Sequence, residues 1–230
     1  MLSVVLHFRE NSLLKVGLTG GIASGKSAVG EMLGALGARL IQADQIAHEL
    51  MQPGHAVYGE VVRRFGKAIL NPDGTINRPK LAEAAFNPDS SGATRVVELN
   101  RIVHPAVIRR ENEWMEAEGR RDPRTIAVVE AALILEAGAA ERLDRLIVVT
   151  CSEEQRVARY AQRLNIDVET ARREVERRMA AQLPDSVKIQ RADYVVDNSG
   201  SLDNTEAQVR ELYATLKQEA EQTQLREPKT

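Results

Sequence analysis

Cysteine is all but missing: Cys151 is the single one in 230 residues, which excludes an internal disulfide framework and suits a reducing compartment. Charge of one sign is missing too. Lysine and arginine number 31 against 33 aspartates and glutamates, a formal net charge of −2, so there is no global pull toward nucleic acid or a membrane surface. No apolar run approaches the length of a transmembrane helix. The stretch Met1–Phe8 is too short for a secretory signal and lacks its basic start and small-residue cleavage site. Residues 1–12 therefore read as an N-terminal extension, and the cytoplasm is the expected location. His7, His48 and His55 have no ligand spacing with one another or with Cys151, which argues against a metal site built from His or Cys. No repeat or low-complexity segment stands out, and Trp114 reads as helix or core filler. What remains is an ordinary globular composition, 43% hydrophobic and 28% charged, enough for one α/β domain with insertions or at most two small domains.

What is present centres on Gly20-Gly21-Ile22-Ala23-Ser24-Gly25-Lys26-Ser27. It fits the phosphate-binding loop G-x-x-x-x-G-K-[ST]. Glycines let the backbone turn tightly and aim several N–H groups at one anion. Lys26 supplies a flexible charge for β- and γ-phosphates, and the Ser27 hydroxyl can ligate Mg²⁺. The context supports the match. Leu13–Thr19 reads as a buried strand, while Val29, Met32, Leu33 and Leu36 recur at helical spacing up to Gly37, so strand, loop and helix follow in the required order. The helix adds the positive end of its dipole.

Further strands are expected at 38–44, 125–130, 145–150 and 192–198. Their continuous apolar character suits strands covered on both faces, and the helical segments between them imply a five-stranded parallel sheet flanked by helices. Ligands bind beyond the carboxyl ends of such strands, which gathers the loop, Asp44, Glu130, Cys151 and Asn198 along one edge. Two stretches exceed a simple crossover. Residues 46–99 read as a helical insertion, with Asn71-Pro72-Asp73-Gly74 as a turn and Pro79 in a helix's first turn; beyond it, His104-Pro105 interrupts a later helix. About 152–185, Ser152 and Gln155 form a capping box for a helix bearing Arg156, Arg159 and Arg163. A second helix carries Arg172, Arg173, Arg177 and Arg178. Beside a phosphate loop these helices read as a lid, although Glu153, Glu169, Glu174 and Glu176 also suit a solvated surface laced with Glu–Arg pairs. A single domain then spans 13–218, its core at about 13–45, 100–151 and 186–218, with a polar, frayed tail at 219–230.

The loop alone names no reaction. No guanine-reading segment follows the late strands. Glu130, after four apolar residues, is a candidate for the metal-associated acid of ATPase motors. Small-molecule kinases instead place an acid at a neighbouring strand end to orient or deprotonate an acceptor hydroxyl. Asp44 fits that position, a reading favoured over a helix N-cap before Gln45–His48 because that strand end must face the phosphates. Another metabolite or nucleotide kinase, or a nucleotide-binding regulator, would share these features.

From about Leu14 to Leu202 the chain resembles the dephospho-CoA kinase family. The marks are Gly17–Ser27, Ala43–Ala47, Phe65-Gly66, Asp73–Arg78, His104-Pro105, Glu153–Gln155 with Arg159 and Arg163, Arg178 with Gln182, and Ala192–Gly200. The resemblance implies transfer of the ATP γ-phosphate to the ribose 3′-hydroxyl of dephospho-CoA, with ATP and Mg²⁺ as requirements and neither nucleic acid nor membrane as partner. It implies Asp44 as base, Lys26 and Arg159 as catalytic cations, and Gly20, Gly21, Ala23, Ser24, Gly25, Lys26, Ser27, Ala28, Arg163 and Asn198 as nucleotide contacts. Ser27 would be the metal ligand, and Asp44, Arg78 and His104 would meet the acceptor. The chain departs from the family at Gln42 (often Asp), at Ala132–Glu136 (for Pro-Leu-Leu-Phe-Glu), at Ala23 (for glycine) and at Ala28 (for threonine).

Overall fold

The computed structural model describes residues 13–86 and 94–225. The expected extension at 1–12 lies outside them. The described chain divides into two compact units, one formed by residues up to Ile41 and from Trp114 on, the other by Gln42–Glu113.

The first unit holds the sheet. Strands β1 (Leu14–Thr19), β2 (Arg39–Gln42), β3 (Ile126–Glu130), β4 (Arg145–Thr150) and β5 (Tyr194–Asp197) lie in the order β2-β3-β1-β4-β5, and the sheet is parallel throughout. Leu14 stands opposite Ile126, Gly17 opposite Leu146 and Val149 opposite Val196. Successive side chains feed two cores, as the two-residue repeat of a strand requires. Val16, Leu18, Val128, Ile147 and Val149 pack with Val29 and Leu33 of helix α1 (Lys26–Leu36) and with Val209, Leu212 and Leu216 of helix α9 (Leu202–Leu225). On the other face Ala127 and Val129 pack with Leu13, Met115 and Trp114. Each fully buried Val or Leu contributes about 1.5–3 kcal/mol. Helix α1 stops where the sequence places its stop, with the N–H of Gly37 on the Gly34 carbonyl and that of Ala38 on Leu33.

At the sheet's outer edge the Gln208 amide pairs with the backbone of Asp197. Asp197 N–H donates to Gln208 Oε1 at 3.0 Å, and Gln208 Nε2 donates to the Asp197 carbonyl at 2.9 Å. The polar tail expected from 219 on does not fray at its start. Helix α9 continues to Leu225 because Ala220 is buried in the core and Glu219 accepts hydrogen bonds from Arg145 and Tyr194.

The second unit is helical: α2 (Ala43–Leu50), α3 (Ala56–Phe65), α4 (Arg78–Phe86) and the first part of α5 (Val96–Arg121). The expected turn forms, Gly74 N–H meeting the Asn71 carbonyl at 3.0 Å while Asp73 accepts from Thr75. Asn77 caps α4 through the Lys80 N–H at 3.1 Å, with Pro79 in the first turn. The interruption expected at His104-Pro105 is absent. Helix α5 runs through Pro105, since Val103, Ala106 and Val107 are buried around it and their packing outweighs the one backbone hydrogen bond that proline removes.

Candidate active site

Strand β1 ends at Thr19 and α1 begins at Lys26; between them one carbonyl closes a turn within the loop and three are held from outside it. The Gly21 carbonyl accepts from Ser24 N–H at 3.2 Å. Ile22 accepts from Arg156 Nη1 at 3.2 Å, Ala23 from the Cys151 thiol at 3.7 Å, and Ser24 from Asn198 Nδ2 at 2.9 Å and Arg159 Nη1 at 3.4 Å. In a trans peptide the N–H of the next residue points opposite to the carbonyl. Fixing the carbonyls of Ile22 and Ser24 therefore turns the N–H groups of Ala23 and Gly25 the other way, as an anion cradle requires. Burial pushes the Cys151 thiol pKa up, against the opposing influence of Arg156 and Arg159.

The loop has no room for side chains at three glycines: a Cβ on Gly20 would collide with the Val149 carbonyl. A Cβ on Gly21 would collide with the Arg156 guanidinium, and one on Gly25 with the Asn198 amide. Gly25 is also left-handed, at φ 93°. Ala23, in the place of a family glycine, shares that conformation at φ 53°, which costs an L-residue about 1–2 kcal/mol. Ala23→Gly is accordingly expected to stabilise the protein by up to about 1 kcal/mol, the relief exceeding glycine's extra freedom in the unfolded chain. Urea denaturation measures it; a loss of stability would mean that packing of the Ala23 methyl against the neighbouring apolar cluster dominates.

Lys26 and Ser27 open α1. The Ser27 hydroxyl donates to Glu130 Oε1 at 2.7 Å. Glu130 ends β3, which is hydrogen-bonded directly to β1, whereas β2 is the edge strand beyond β3. The neighbouring strand end is thus that of Glu130, and the Asp44 reading is corrected on this point. A hydroxyl and a buried carboxylate facing one another are oxygen donors of the kind a small hard cation takes, so these residues fit Mg²⁺.

Asp44 lies in α2, not at a strand end: β2 stops at Gln42 and the helix starts at Ala43. Gln42 occupies the N-cap, so capping does not account for Asp44, an exposed residue of the helix's first turn. In the same unit Arg78 is the exposed first residue of α4. His104 is half-buried in α5, where burial lowers its pKa below the ordinary value.

The arginine-rich stretch forms α6 (Glu153–Leu164) and α7 (Val168–Ala180). Ser152 caps α6 through Gln155 N–H, but the Gln155 side chain donates to the Ser199 carbonyl at 2.6 Å, so the capping box closes only halfway. The two helices use their arginines differently. On α7, Arg177 and Arg178 pair with Glu174, whose pKa falls to about 2, chiefly through the hydrogen bond from Arg177. On α6, Arg159 reaches the Ser24 and Asn198 carbonyls. Exposed Arg163 lies over the Tyr160 ring at 5.3 Å. Asn198 is buried, and both ends of its amide are engaged, Nδ2 with Ser24 and Oδ1 with Thr205 at 2.9 Å.

Two buried cations were not singled out as site residues in the sequence. Arg156 is 1% exposed and paired with Asp185 of helix α8 (Asp185–Gln190). Lys188, fully buried, meets Glu136 at 3.2 Å and Gln182 at 3.2 Å. Only the spacing of Arg156 one helical turn before Tyr160 and Ala161 hinted at its burial; nothing local marks Lys188.

A profile of the dephospho-CoA kinase family matches residues 14–204. The chain belongs to this family. Similar curated relatives are the dephospho-CoA kinases of Geobacter sulfurreducens, 43% identical over 86% of this chain and 96% of that one, and of Corynebacterium efficiens, 39% identical over 89% and 98%. A Thermus thermophilus crystal structure superposes with a TM-score of 0.70 at 30% identity, covering 89% of this chain and 98% of its own. The Campylobacter jejuni dephospho-CoA kinase, at 23% identity and a TM-score of 0.56 over 89% and 98%, shares the fold. This family member is a kinase with a nucleotide-binding P-loop. No helix among the described residues is long and apolar enough to cross a membrane.

Proposed function

We propose that the protein transfers the γ-phosphoryl group of ATP to the ribose 3′-hydroxyl of dephospho-CoA, giving CoA and ADP, the last step of coenzyme A synthesis. The observation that carries this is the family match over residues 14–204, joined to a glycine-rich loop whose Ile22, Ala23 and Ser24 carbonyls are engaged by groups outside it.

In this reading the loop amides and Lys26 grip the β- and γ-phosphates. Asp44 accepts the 3′-hydroxyl proton as the acceptor oxygen bonds to the γ-phosphorus and the bond to the β-phosphate oxygen breaks. Ser27 and Glu130 would hold Mg²⁺, which when bound neutralises phosphate charge. Arg159 and Arg163 offset charge on the transferring group, and Arg78 and His104 meet the acceptor. Ala28 sits in the first turn of α1 below the phosphates. Asn198, its amide already engaged, acts through the loop backbone and not by reading the base with its side chain.

The test supplies ATP, Mg²⁺ and either dephospho-CoA or nucleoside monophosphates to the purified protein. ADP release and a new phosphomonoester resonance by ³¹P NMR are expected with dephospho-CoA. No turnover with it, or equal turnover with the monophosphates, would remove the reading.

A further inference from the structure

Arg156 has no phosphate-facing role open to it. Its guanidinium is sealed in the protein at 1% exposure and lies against the backbone of Gly21. One nitrogen donates to the Ile22 carbonyl at 3.2 Å, and the other is ion-paired to Asp185. The Ile22 side chain itself packs among Val157, Tyr160, Ala161, Ala171 and Val175 of α6 and α7. The loop's first half is therefore held by one helix pair in two ways, through an apolar anchor and through a buried cation. The second half, at Ser24, is held by Asn198 and Arg159.

We propose that Arg156, locked by Asp185, is a positioning residue that presets the phosphate loop for nucleotide. The physical basis is the peptide plane between Ile22 and Ala23. A guanidinium fixes planar, directional donors better than any other side chain, and Asp185 on α8 prevents its rotation. With the carbonyl held, the Ala23 N–H stays aimed at the anion, and no reorganisation is needed when phosphate arrives. Without it, Ala23, in a left-handed conformation unfavourable to alanine, has a reason to relax toward right-handed backbone, and the amide turns away. A buried pair of this kind is weak evidence for stability, because desolvation offsets attraction. Its geometry at the loop is the better explanation of its presence.

The proposal rests on the nucleotide half of the reading above, and its test uses ADP alone. Calorimetric titration of ADP into Arg156→Gln is expected to show affinity lower by tenfold or more. Arg156→Lys, which keeps the charge but loses the fork, should fall between it and the unmodified protein. In turnover assays KM for ATP should rise while KM for the acceptor stays within twofold. A control at the opposite end of the sheet, Arg145→Gln, breaks the pair with Glu219 (2.9 Å); it should lower Tm and leave ADP affinity unchanged. Should Arg156→Gln fail to fold, Asp185→Asn takes its place, expected to weaken ADP at least threefold at a Tm no lower than that of the control. The proposal is overturned if ADP affinity stays within twofold in the folded Arg156 and Asp185 variants, or if the control loses affinity in step with them. Failure of the acceptor reading appears elsewhere, as absent turnover of dephospho-CoA by a wild-type protein that still binds ADP.

Discussion

Asp44→Asn is expected to lower kcat about a thousandfold, roughly 4 kcal/mol of transition-state stabilisation, with ADP affinity and folding nearly unchanged. The sizes of the competing effects make this decisive. Asp44 is exposed and makes no cap, since Gln42 holds that position. Removing its charge from the first turn of α2 forfeits only the interaction with the helix dipole, about 0.3–1 kcal/mol. A structural role therefore predicts a small shift in Tm and full activity; a role as base predicts the reverse. Steady-state kinetics beside thermal denaturation separate the two. A kcat within tenfold of the unmodified enzyme would end the assignment.

Lys26→Ala should cut kcat/KM for ATP by about 10²–10³, the range for removing one preorganised donor from a developing charge. Lys26 begins α1, directly after the left-handed Gly25, so its stem leaves the loop where the β- and γ-phosphates are expected. The effect should separate by ligand: ATP affinity falls more than ADP affinity, and the acceptor KM stays near its original value. Parallel losses for ATP and acceptor would mean that the lysine supports the fold instead of the γ-phosphate.

Local sequence made much of this architecture legible. Apolar runs marked every strand to within a few residues, because strands covered on both faces have little choice of composition. The loop, the stop at Gly37 and the turn at 71–74 were equally readable, each being specified by residues adjacent in the chain. What could not be read depends on partners distant in sequence. Strand order placed Glu130, not Asp44, on the strand beside the phosphate loop. Arg156, one arginine among several on α6, differs from exposed Arg163 only through Asp185 and Ile22, 29 and 134 residues away. Helix α5 survives its proline by burial along its flanks, and α9 outlasts its polar composition through contacts with Arg145 and Tyr194.

The Gln208 amide has a consequence for how the molecule behaves in company. Asp197 ends the outermost strand, next to Asn198, whose side chain holds Ser24, and its outward N–H and C=O would otherwise offer a rung for a foreign chain to join. A side chain imitating one residue of a sixth strand occupies that rung. The sheet is thereby finished at this end of its β5 edge, and neighbours that would extend it find no backbone partner there.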